Sequence, residues 1–472
     1  MKKIVATGLL LSMLSLNIMP ALALDSNTRS IEASVQATSE KPRRHFFWQK
    51  KKNDNLQYKY DYINLEWWNS FNDDYLTSYI KQAIEQNHDV KASTLATQEY
   101  YQAMKMQFSQ ELPTIGVGFA PGFGKMPGST SLTGAFAVPI FASYELDIYR
   151  KNHDKTKAAK KTYEASLQDE RSAHISIASA VGTTYLNIVN LDRMIQLQQE
   201  IVDLREDLYN LEKLRYEEGL SSSMDVVNSE KGYVYAQNDL IEYKKLHYKL
   251  LNQFAVLVGE TPNDEFCLAR KTFDELTYDK EIPNEISTEV ITNRPDYKKA
   301  ELNVEKAGLD AKVARKELLP SINLGGLALF NSSNFGSIFT TRNTLGGFGG
   351  LIGTEIFAGG RKIANLKLKK ATYERILENY QQTNIKSIQE VNDALYVLKS
   401  DDEHLQKLTQ QYNLELVTFG LNALKYQEGV LSKYDLLRYQ ENLLTLEKQL
   451  NQYKTERLTD FIGLYKSVGS QL

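Results

Sequence analysis

LEKLRYEEGLSSSMD, at residues 211–225, recurs as LNALKYQEGVLSKYD at residues 421–435. Seven residues are identical in the two stretches, and each lies 210 residues from its counterpart. The same spacing relates Gly259 to Gly469 further along the chain. Self-similarity over such a distance indicates that one structural unit occurs twice. The sequence therefore predicts two halves with a common plan.

Each half contains one long helical stretch without proline, at residues 148–218 and 359–428. At about 1.5 Å per residue, each stretch makes a rod of roughly 100 Å. In the first rod, apolar residues alternate three and four apart, which is the seam of a coiled coil: Met194, Leu197, Ile201, Leu204, Leu208 and Leu211. The sequence thus predicts two rods that pack against other helices.

A tight turn follows each rod. Gly219 and Gly429 suit the left-handed position that ends a helix. A serine and an aspartate three residues apart then form a capping box in each half: Ser222 with Asp225, and Ser432 with Asp435. We expect each box to start a return helix of about 37 residues.

A leading helix precedes the strands of each half, over residues 74–112 and 287–319, and both patterns end at a proline. A leading helix of about 35 residues and a return helix of about 37 together match one rod of about 70. We therefore expect the two shorter helices to lie end to end along the rod, with the strands at one end and the turns at the other.

Two extended stretches separate each leading helix from its rod. Residues 132–148 alternate between apolar and more polar side chains, the period of a strand with two different faces. Residues 348–356 repeat this pattern more loosely. Glycine-rich and serine-rich loops are predicted to connect the strands at 121–131 and 331–343. Each chain thus offers four strands.

The N-terminus carries a targeting signal. Two lysines, an apolar run and an Ala-Leu-Ala site predict a secretory signal peptide over residues 1–23. Residues 24–57 are polar, and no cysteine near the cleavage point is available for lipid attachment. The basic and aromatic run at 41–52 either contacts anionic lipid or is a solvated tail. The predicted domains that follow are the first repeat at 58–259, the linker at 260–286 and the second repeat at 287–472.

Composition excludes several classes of function. With 42 % hydrophobic residues, the 472-residue chain is too polar for a bundle of membrane-spanning helices. Its 56 basic residues nearly balance its 59 acidic residues, whereas nucleic-acid-binding proteins are strongly basic. The six histidines are dispersed, so we predict no enzyme, no catalytic residue, no metal site and no cofactor. Cys267 has no partner for an intrachain disulfide, and we interpret it as a small buried hydrophobe.

Four strands with a lipid-compatible face cannot close a barrel, and lipid does not tolerate open strand edges. Oligomerisation must therefore close the sheet. Three chains supply twelve strands, an even number in the range of outer-membrane barrels, whereas two chains supply eight, whose interior is filled by side chains.

Several motifs resemble those of the TolC-like outer-membrane efflux proteins, and the resemblance covers nearly the whole chain after the signal peptide. WWNSF at 67–71 is similar to the opening motif of that family, and RPD at 294–296 to its mid-chain motif. IFAGGR at 356–361 and YELD at 144–147 resemble its strand-to-rod motifs. Glu355 stands where many relatives have proline.

The resemblance implies an α+β membrane protein. Three identical chains would form a homotrimeric twelve-stranded β-barrel in the outer membrane, continued by a long α-helical coiled-coil barrel in the periplasm, with each chain a tandem repeat. The implied partners are further copies of this chain, a periplasmic adaptor protein, an inner-membrane pump and outer-membrane lipid.

The resemblance also implies an aperture at the turn end of the rods. The residues at matching positions are Asp225, Asp435, Tyr216, Tyr426 and Arg438. Threefold symmetry would place six carboxylates around one axis, a field that favours cations. The alternative is that Asp225 and Asp435 only cap their helices. Arg438 replaces an acidic residue of the best-known relative and is free to pair with Asp435.

Two further sets of residues follow from the resemblance. The turns, with Gly219, Ser222, Gly429 and Ser432, are candidates for the adaptor contact, and the alternative is an ordinary solvated turn. The strand-to-helix junction contains three carboxylates on the less apolar face, which we expect to line the barrel lumen rather than to select ions: Glu145, Asp147 and Glu355.

The predicted function is a passive exit duct that conducts small molecules from an inner-membrane pump and its adaptor to the exterior. A second hypothesis is that the chain is the outer-membrane component of an ATP-driven type I protein secretion system. A structural coiled-coil envelope protein that does not conduct is a third, and the amphipathic strands argue against it.

Overall fold

The structure is a computed structural model that describes residues 66–124, 133–263, 268–278, 286, 288–355 and 357–469. The chain divides into two compact units, Met1–Lys59 and Tyr60–Leu472, and every described residue belongs to the second. The signal peptide at 1–23, the polar segment at 24–57 and Cys267 lie outside the described residues, and the predictions for them stay predictions.

Eight α-helices in the described residues account for most of the second unit. They are α1 (Asp74–Gln86), α2 (His88–Ser109), α3 (Lys151–Glu217), α4 (Ser223–Leu257), α5 (Thr288–Thr292), α6 (Pro295–Lys316), α7 (Arg361–Gln427) and α8 (Lys433–Ser467). Short 3₁₀ helices lie at Glu66–Phe71, Phe273–Glu275, Phe335–Ser337 and Thr341–Asn343. In the described part of the chain, no helix combines the length and the apolar composition that crossing a membrane requires.

The two halves have matching long and return helices. Both α3 and α7 contain 67 residues, and both α4 and α8 contain 35. Each of these helices in the second half begins and ends 210 residues after its counterpart. The rods that the sequence predicts are therefore present. Their N-terminal ends lie three residues later in α3 and two residues later in α7 than predicted.

The strands form one antiparallel sheet with four positions across. It contains β1 (Thr114–Val117), β2 (Ala120–Gly124), β3 (Thr133–Glu145), β4 (Ser321–Ser332) and β5 (Thr344–Gly353). Both β1 and β2 pair with β3, one after the other, so together they act as a single interrupted strand. β3 then pairs with β4, and β4 with β5.

Strand boundaries differ from the sequence prediction at both loops. The loop predicted from residue 121 is wrong at its start, because β2 pairs with β3 as far as Gly124 opposite Thr133. The loop predicted from residue 331 begins two residues later, since β4 extends to Ser332 opposite Phe136. Backbone pairing to β3 extends both strands where glycine and serine predict a turn.

The first leading helix is two helices rather than the single one predicted over 74–112. α1 ends at Gln86, and Asn87 adopts an extended ψ of 132°. The side-chain oxygen of Asn87 accepts hydrogen bonds from the amides of Asp89 (2.8 Å) and Val90 (3.2 Å). An asparagine that caps a new helix therefore interrupts the predicted one.

The second leading helix, predicted over 287–319, is likewise two helices, α5 (Thr288–Thr292) and then α6, which begins at Pro295. α2 and α6 each contain 22 residues, not the expected 35 or so. In the first half, α2 with 22 residues and α4 with 35 residues are together shorter than α3, which has 67 residues. The stacking arrangement holds, but a junction of irregular chain separates the shorter helices.

Equivalent side chains close this junction in the two halves. Asn87 Nδ2 donates a hydrogen bond to the Leu257 carbonyl at the end of α4 (3.0 Å). Arg294, which lies 207 residues later, donates to the Ser467 carbonyl at the end of α8 (2.5 Å) and to Glu390 of α7 (2.5 Å). Each return helix thus ends against the residue that starts a leading helix.

The helices lie side by side in two tiers. Towards the strands, α2 contacts α3, α3 contacts α6 and α6 contacts α7. Towards the turns, α4 contacts α3, α3 contacts α8 and α8 contacts α7. Each tier is therefore a row of four helices whose end members are α2 or α4 on one side and α7 on the other.

A compact aromatic core fills the region between the two tiers. Trp67, Phe71, Tyr185 and Phe254 are almost fully buried there. A Cβ atom on Gly182 of α3 would lie 2.8 Å from the Trp67 ring, so only glycine allows this approach. The opening motif of the sequence is thus the packing core of the junction.

Candidate functional site

Both turns adopt the geometry that their glycines predict. Gly219 has a φ of 74° and Gly429 a φ of 77°. Beyond the glycines, the Leu220 amide donates to the Arg215 carbonyl (2.8 Å), and the equivalent bond in the second half runs from Val430 to Lys425 (2.9 Å). These are Schellman motifs, which satisfy the last carbonyls of the helices.

The predicted caps are present as well. Ser222 Oγ accepts from the Asp225 amide (3.2 Å), and the Asp225 carboxylate accepts from the Ser222 amide (3.0 Å). In the second half, Ser432 Oγ accepts from the Asp435 amide (3.1 Å) and donates to its carboxylate (2.6 Å). The hydroxyl and amide of Ser222 hold the pKa of Asp225 below its usual range. The Asp225 carboxylate is thus an ionised acceptor at neutral pH.

These side chains are nonetheless open to solvent. The caps use only part of each carboxylate, and both Asp225 and Asp435 are exposed. Tyr216 is 49 % exposed and Tyr426 is 39 % exposed at the ends of the rods. Capping therefore leaves both aspartates available for a second contact.

A cavity of about 640 Å³ at this end gathers residues of both halves. Asp225 and Arg438 line it, with Arg205 of α3 and Glu441 of α8, whereas Asp435 does not. The pairing of Arg438 with Asp435 that the sequence allows is wrong, because no ion pair joins them among the described residues. Arg438 lines the cavity together with Asp225.

Two ion pairs shorter than 3 Å connect α3 of the first half to α8 of the second half in the described part of the chain. Arg205 donates to Glu441 (Nε to Oε1, 2.7 Å), and Arg193 donates to Glu447 (2.5 Å). The partners are 236 and 254 residues apart in the chain. Neither pair was predicted from the sequence. The only local signal is that Arg205 directly follows Leu204 of the apolar seam, a position where coiled coils often carry charge.

The three junction carboxylates lie together around a cavity of about 870 Å³ at the strand end. Glu145 accepts from the Lys151 ammonium (2.5 Å). Asp147 accepts from the Lys151 amide (2.6 Å) and so caps α3. Glu355 forms ion pairs with Arg361 (2.8 Å) and Lys362 (3.6 Å) at the start of α7. Each carboxylate therefore has a local structural role, and its exposure to a lumen stays a prediction.

The family model described as "Outer membrane efflux protein" matches this chain twice, over residues 79–260 and 286–470. The two matches correspond to the two halves of the repeat. Together they cover well over half of the chain.

Individual relatives agree along most of their length. The chain is 25 % identical over 411 residues to the probable efflux pump outer membrane protein TtgC of Pseudomonas putida, which covers 85 % of this chain and 84 % of the relative. It is 24 % identical over 412 residues to the cation efflux system protein CusC of Escherichia coli, covering 87 % and 89 %.

Solved structures have the same fold. The Campylobacter jejuni CmeC outer membrane channel superposes with a TM-score of 0.79 at 21 % identity, over 92 % of this chain and 94 % of that one. The open state of the Neisseria gonorrhoeae MtrE outer membrane channel gives 0.75 at 24 %, over 85 % and 91 %. This chain therefore belongs to the outer membrane efflux protein family, the TolC-like proteins that its motifs resemble.

Proposed function

We propose that three copies of this chain form the exit duct of a tripartite efflux system, a passive water-filled path across the outer membrane and the periplasm. The chain supplies the path, and a partner pump supplies the energy. The family assignment supports an efflux role, and the arrangement of edges in the single chain supports the assembly.

The observation that carries the proposal is that sheet and helices are open at corresponding sides. The described strands leave one edge of β5 and one edge of the interrupted strand β1 and β2 without a partner. In both tiers, one edge of the row of helices is α7, which comes directly after the edge strand β5 in the chain. The other edge is α2 in one tier and α4 in the other. A neighbouring copy can therefore continue the sheet and both tiers at once.

Three copies joined in this way give twelve strand positions and twelve helices per tier. Closure removes every unpaired strand edge, which lipid requires. The sheet also exposes large apolar side chains in the single chain, with Phe348 at 98 %, Ile115 at 72 % and Val117 at 70 %. Apolar surface of this extent is expected to face lipid or another subunit.

The turn end is the proposed aperture and docking end. Asp225 and Asp435 would form a ring of six carboxylates in the trimer, a field that concentrates cations. Tyr216, Tyr426 and Arg438 would line the same opening. The turns with Gly219, Ser222, Gly429 and Ser432 would receive a periplasmic adaptor, because they are the parts of each rod farthest from the strands. Glu145, Asp147 and Glu355 would face the lumen at the strand end.

The names of the relatives support small molecules as the cargo of this chain. TtgC is described as part of an efflux pump, and CusC as part of a cation efflux system. The corresponding partners of this chain would be an adaptor and an inner-membrane pump. The alternative partner is an ATP-driven exporter of proteins.

A photo-crosslinker at Ser222 or Ser432 in living cells tests this assignment. We expect adducts with an adaptor of a proton-driven pump, identified by mass spectrometry. The matched control is Thr341, in the loop between β4 and β5 at the opposite end, which the adaptor cannot reach. Adducts with the adaptor of an ATP-driven exporter would show that the chain serves protein secretion instead of efflux. Identical adducts from Thr341 and from the turns would contradict docking at the turns.

A further inference from the structure

The basic residues of this chain are concentrated where the helices meet the strands. We define the basic collar as residues 151–161 of α3, 312–316 of α6 and 361–375 of α7. These segments contain 14 basic and 2 acidic residues, in a chain whose 56 basic and 59 acidic residues nearly balance. The collar is therefore a local excess of positive charge and not a property of the whole surface.

The helix α7 shows the asymmetry along a single element. Residues 361–386, at the strand end, contain seven basic and two acidic residues. Residues 387–427, towards the turn, contain three basic and six acidic residues. One helix thus changes sign along its length.

Only part of the collar is neutralised inside the chain. Seven of its 14 basic residues form ion pairs with described residues: Lys151, Lys155, Lys160, Lys161, Lys316, Arg361 and Lys362. Further along α7, Lys367, Lys369 and Lys370 form no ion pair with any residue that the structure describes. Lys367 and Lys370 are exposed and Lys369 is half-buried. Three adjacent positive charges are left for a partner outside the chain.

The position of these lysines points to the membrane surface. At about 1.5 Å per residue, Lys367 and Lys370 lie roughly 9 and 14 Å along α7 from its first residue. Side chains in a helix lean towards its N-terminus, and the N-terminus of α7 is its strand end. Each of these side chains is therefore expected to lean along α7 towards the strands.

We infer that the basic collar binds the anionic headgroups of phospholipids in the membrane leaflet that faces the helices. This inference rests on the proposed function, since only strands embedded in lipid bring headgroups to this level. The collar continues directly from the apolar strands, and its charge is complementary to that of the headgroups. Clusters of lysine and arginine next to a membrane segment attract anionic lipid in this way.

Native mass spectrometry of the full-length protein tests the inference. The purified protein is placed in detergent micelles that contain equal amounts of phosphatidylglycerol and phosphatidylcholine. The wild type should retain phosphatidylglycerol about fivefold or more over phosphatidylcholine, as charge attraction by several lysines predicts. The triple variant Lys367→Gln, Lys369→Gln, Lys370→Gln should lose most of this preference.

The matched control removes three lysines from the other end of the same helix. Lys399, Lys407 and Lys425 are all exposed, and their change to glutamine alters the net charge equally. This control variant should keep the lipid preference of the wild type. Equal retention of the two lipids by the wild type, or an equal loss in both triple variants, would overturn the inference.

Two measurements on the same samples separate this inference from the proposed function. Trimer mass and channel conductance that persist without any lipid preference would refute the collar alone. Absence of both trimer and conductance would refute the duct. If the collar variant shifts the reversal potential towards cations but binds lipid as the wild type does, the lysines face the lumen and the lipid assignment is wrong.

Discussion

Arg205 of α3 donates a hydrogen bond to Glu441 of α8, with 2.7 Å between Nε and Oε1. This contact joins the long helix of the first half to the return helix of the second, near the turns. Both side chains line the cavity that also contains Asp225 and Arg438. The pair thus fixes the spacing of two helices next to the proposed aperture.

Breaking this pair is predicted to loosen the turn end. The single changes Arg205→Glu and Glu441→Arg each replace an attraction by a repulsion, worth about 0.5–1 kcal/mol for a partly exposed pair. Such an energy shifts a two-state aperture by roughly two- to fivefold per subunit. We expect single-channel conductance in planar bilayers to rise in both single variants and to return to the wild-type level in the double swap. A double swap that conducts like the single variants would exclude the pair as the cause.

Neutralising the two turn aspartates should raise conductance and weaken block by divalent cations. The change Asp225→Asn with Asp435→Asn removes six carboxylates from the proposed ring while the amides keep some capping ability. The control is Ser222→Ala with Ser432→Ala, which removes the cap and keeps the carboxylates. Titration of Mg²⁺ block in planar bilayers separates the two roles: equal block in the wild type and the asparagine variant would leave capping as the only role.

Gly182→Ala is predicted to destabilise the junction between the two tiers. The new Cβ would lie 2.8 Å from the Trp67 ring and 3.0 Å from Ile462, so the core must shift. Overpacking of this kind costs about 1–3 kcal/mol. The control is Gly463→Ala on α8, where a new Cβ would meet nothing within 4 Å. This change should stabilise the helix by about 0.5–1 kcal/mol, because alanine has a higher helix propensity than glycine. Thermal unfolding should show a lower midpoint only for Gly182→Ala, and equal midpoints would contradict the packing account.

Local features of this chain were predictable from its sequence because their causes are local. Gly219 and Ser222 lie within four residues of the groups that they cap, so the turn and the return helix follow from short-range chemistry. The break at Asn87 carried a local signal too, since asparagine is a preferred N-cap residue. The helical pattern on both sides concealed it.

Long-range features were not predictable. Nothing near Arg205 in the sequence identifies Glu441 as its partner, because the repeat aligns α8 with α4 and gives no register against α3. Arg294 belonged to a recognised motif, but its bonds to Ser467 and Glu390 depend on how three helices meet. Closure of the sheet depends on other copies of the chain. The sequence therefore predicts that the sheet must close but not which residues of two copies pair.

The pH dependence of stability should reveal a carboxyl pair between α7 and α8. Burial, and then the facing Asp460, raise the pKa of Asp401 to about 6, and burial raises the pKa of Asp460. Glu456 and Asp402 add negative charge nearby, and Arg457 pairs with Asp402. Asp401 therefore keeps its proton to a higher pH in the folded protein than in the unfolded chain.

A raised pKa fixes the sign of the effect. The stability from protonated Asp401 is fully present below the unfolded pKa of about 3.9 and is lost as pH rises through about 6. Asp401→Asn should therefore gain about 1 kcal/mol relative to the wild type between pH 4 and pH 7, after allowance for solvent screening. Denaturant unfolding at both pH values measures this difference. The exposed Glu403→Gln on the same helix is the control, and a pH-independent difference for Asp401→Asn would refute the pair.

The central claim is that this chain assembles into a conducting trimer. Its most direct test is to record single-channel currents from the purified full-length protein in planar lipid bilayers, with the mass of the same sample determined by native mass spectrometry. The account predicts a trimeric mass and discrete conductance steps. A monomer, or a trimer that inserts without conducting, would contradict it.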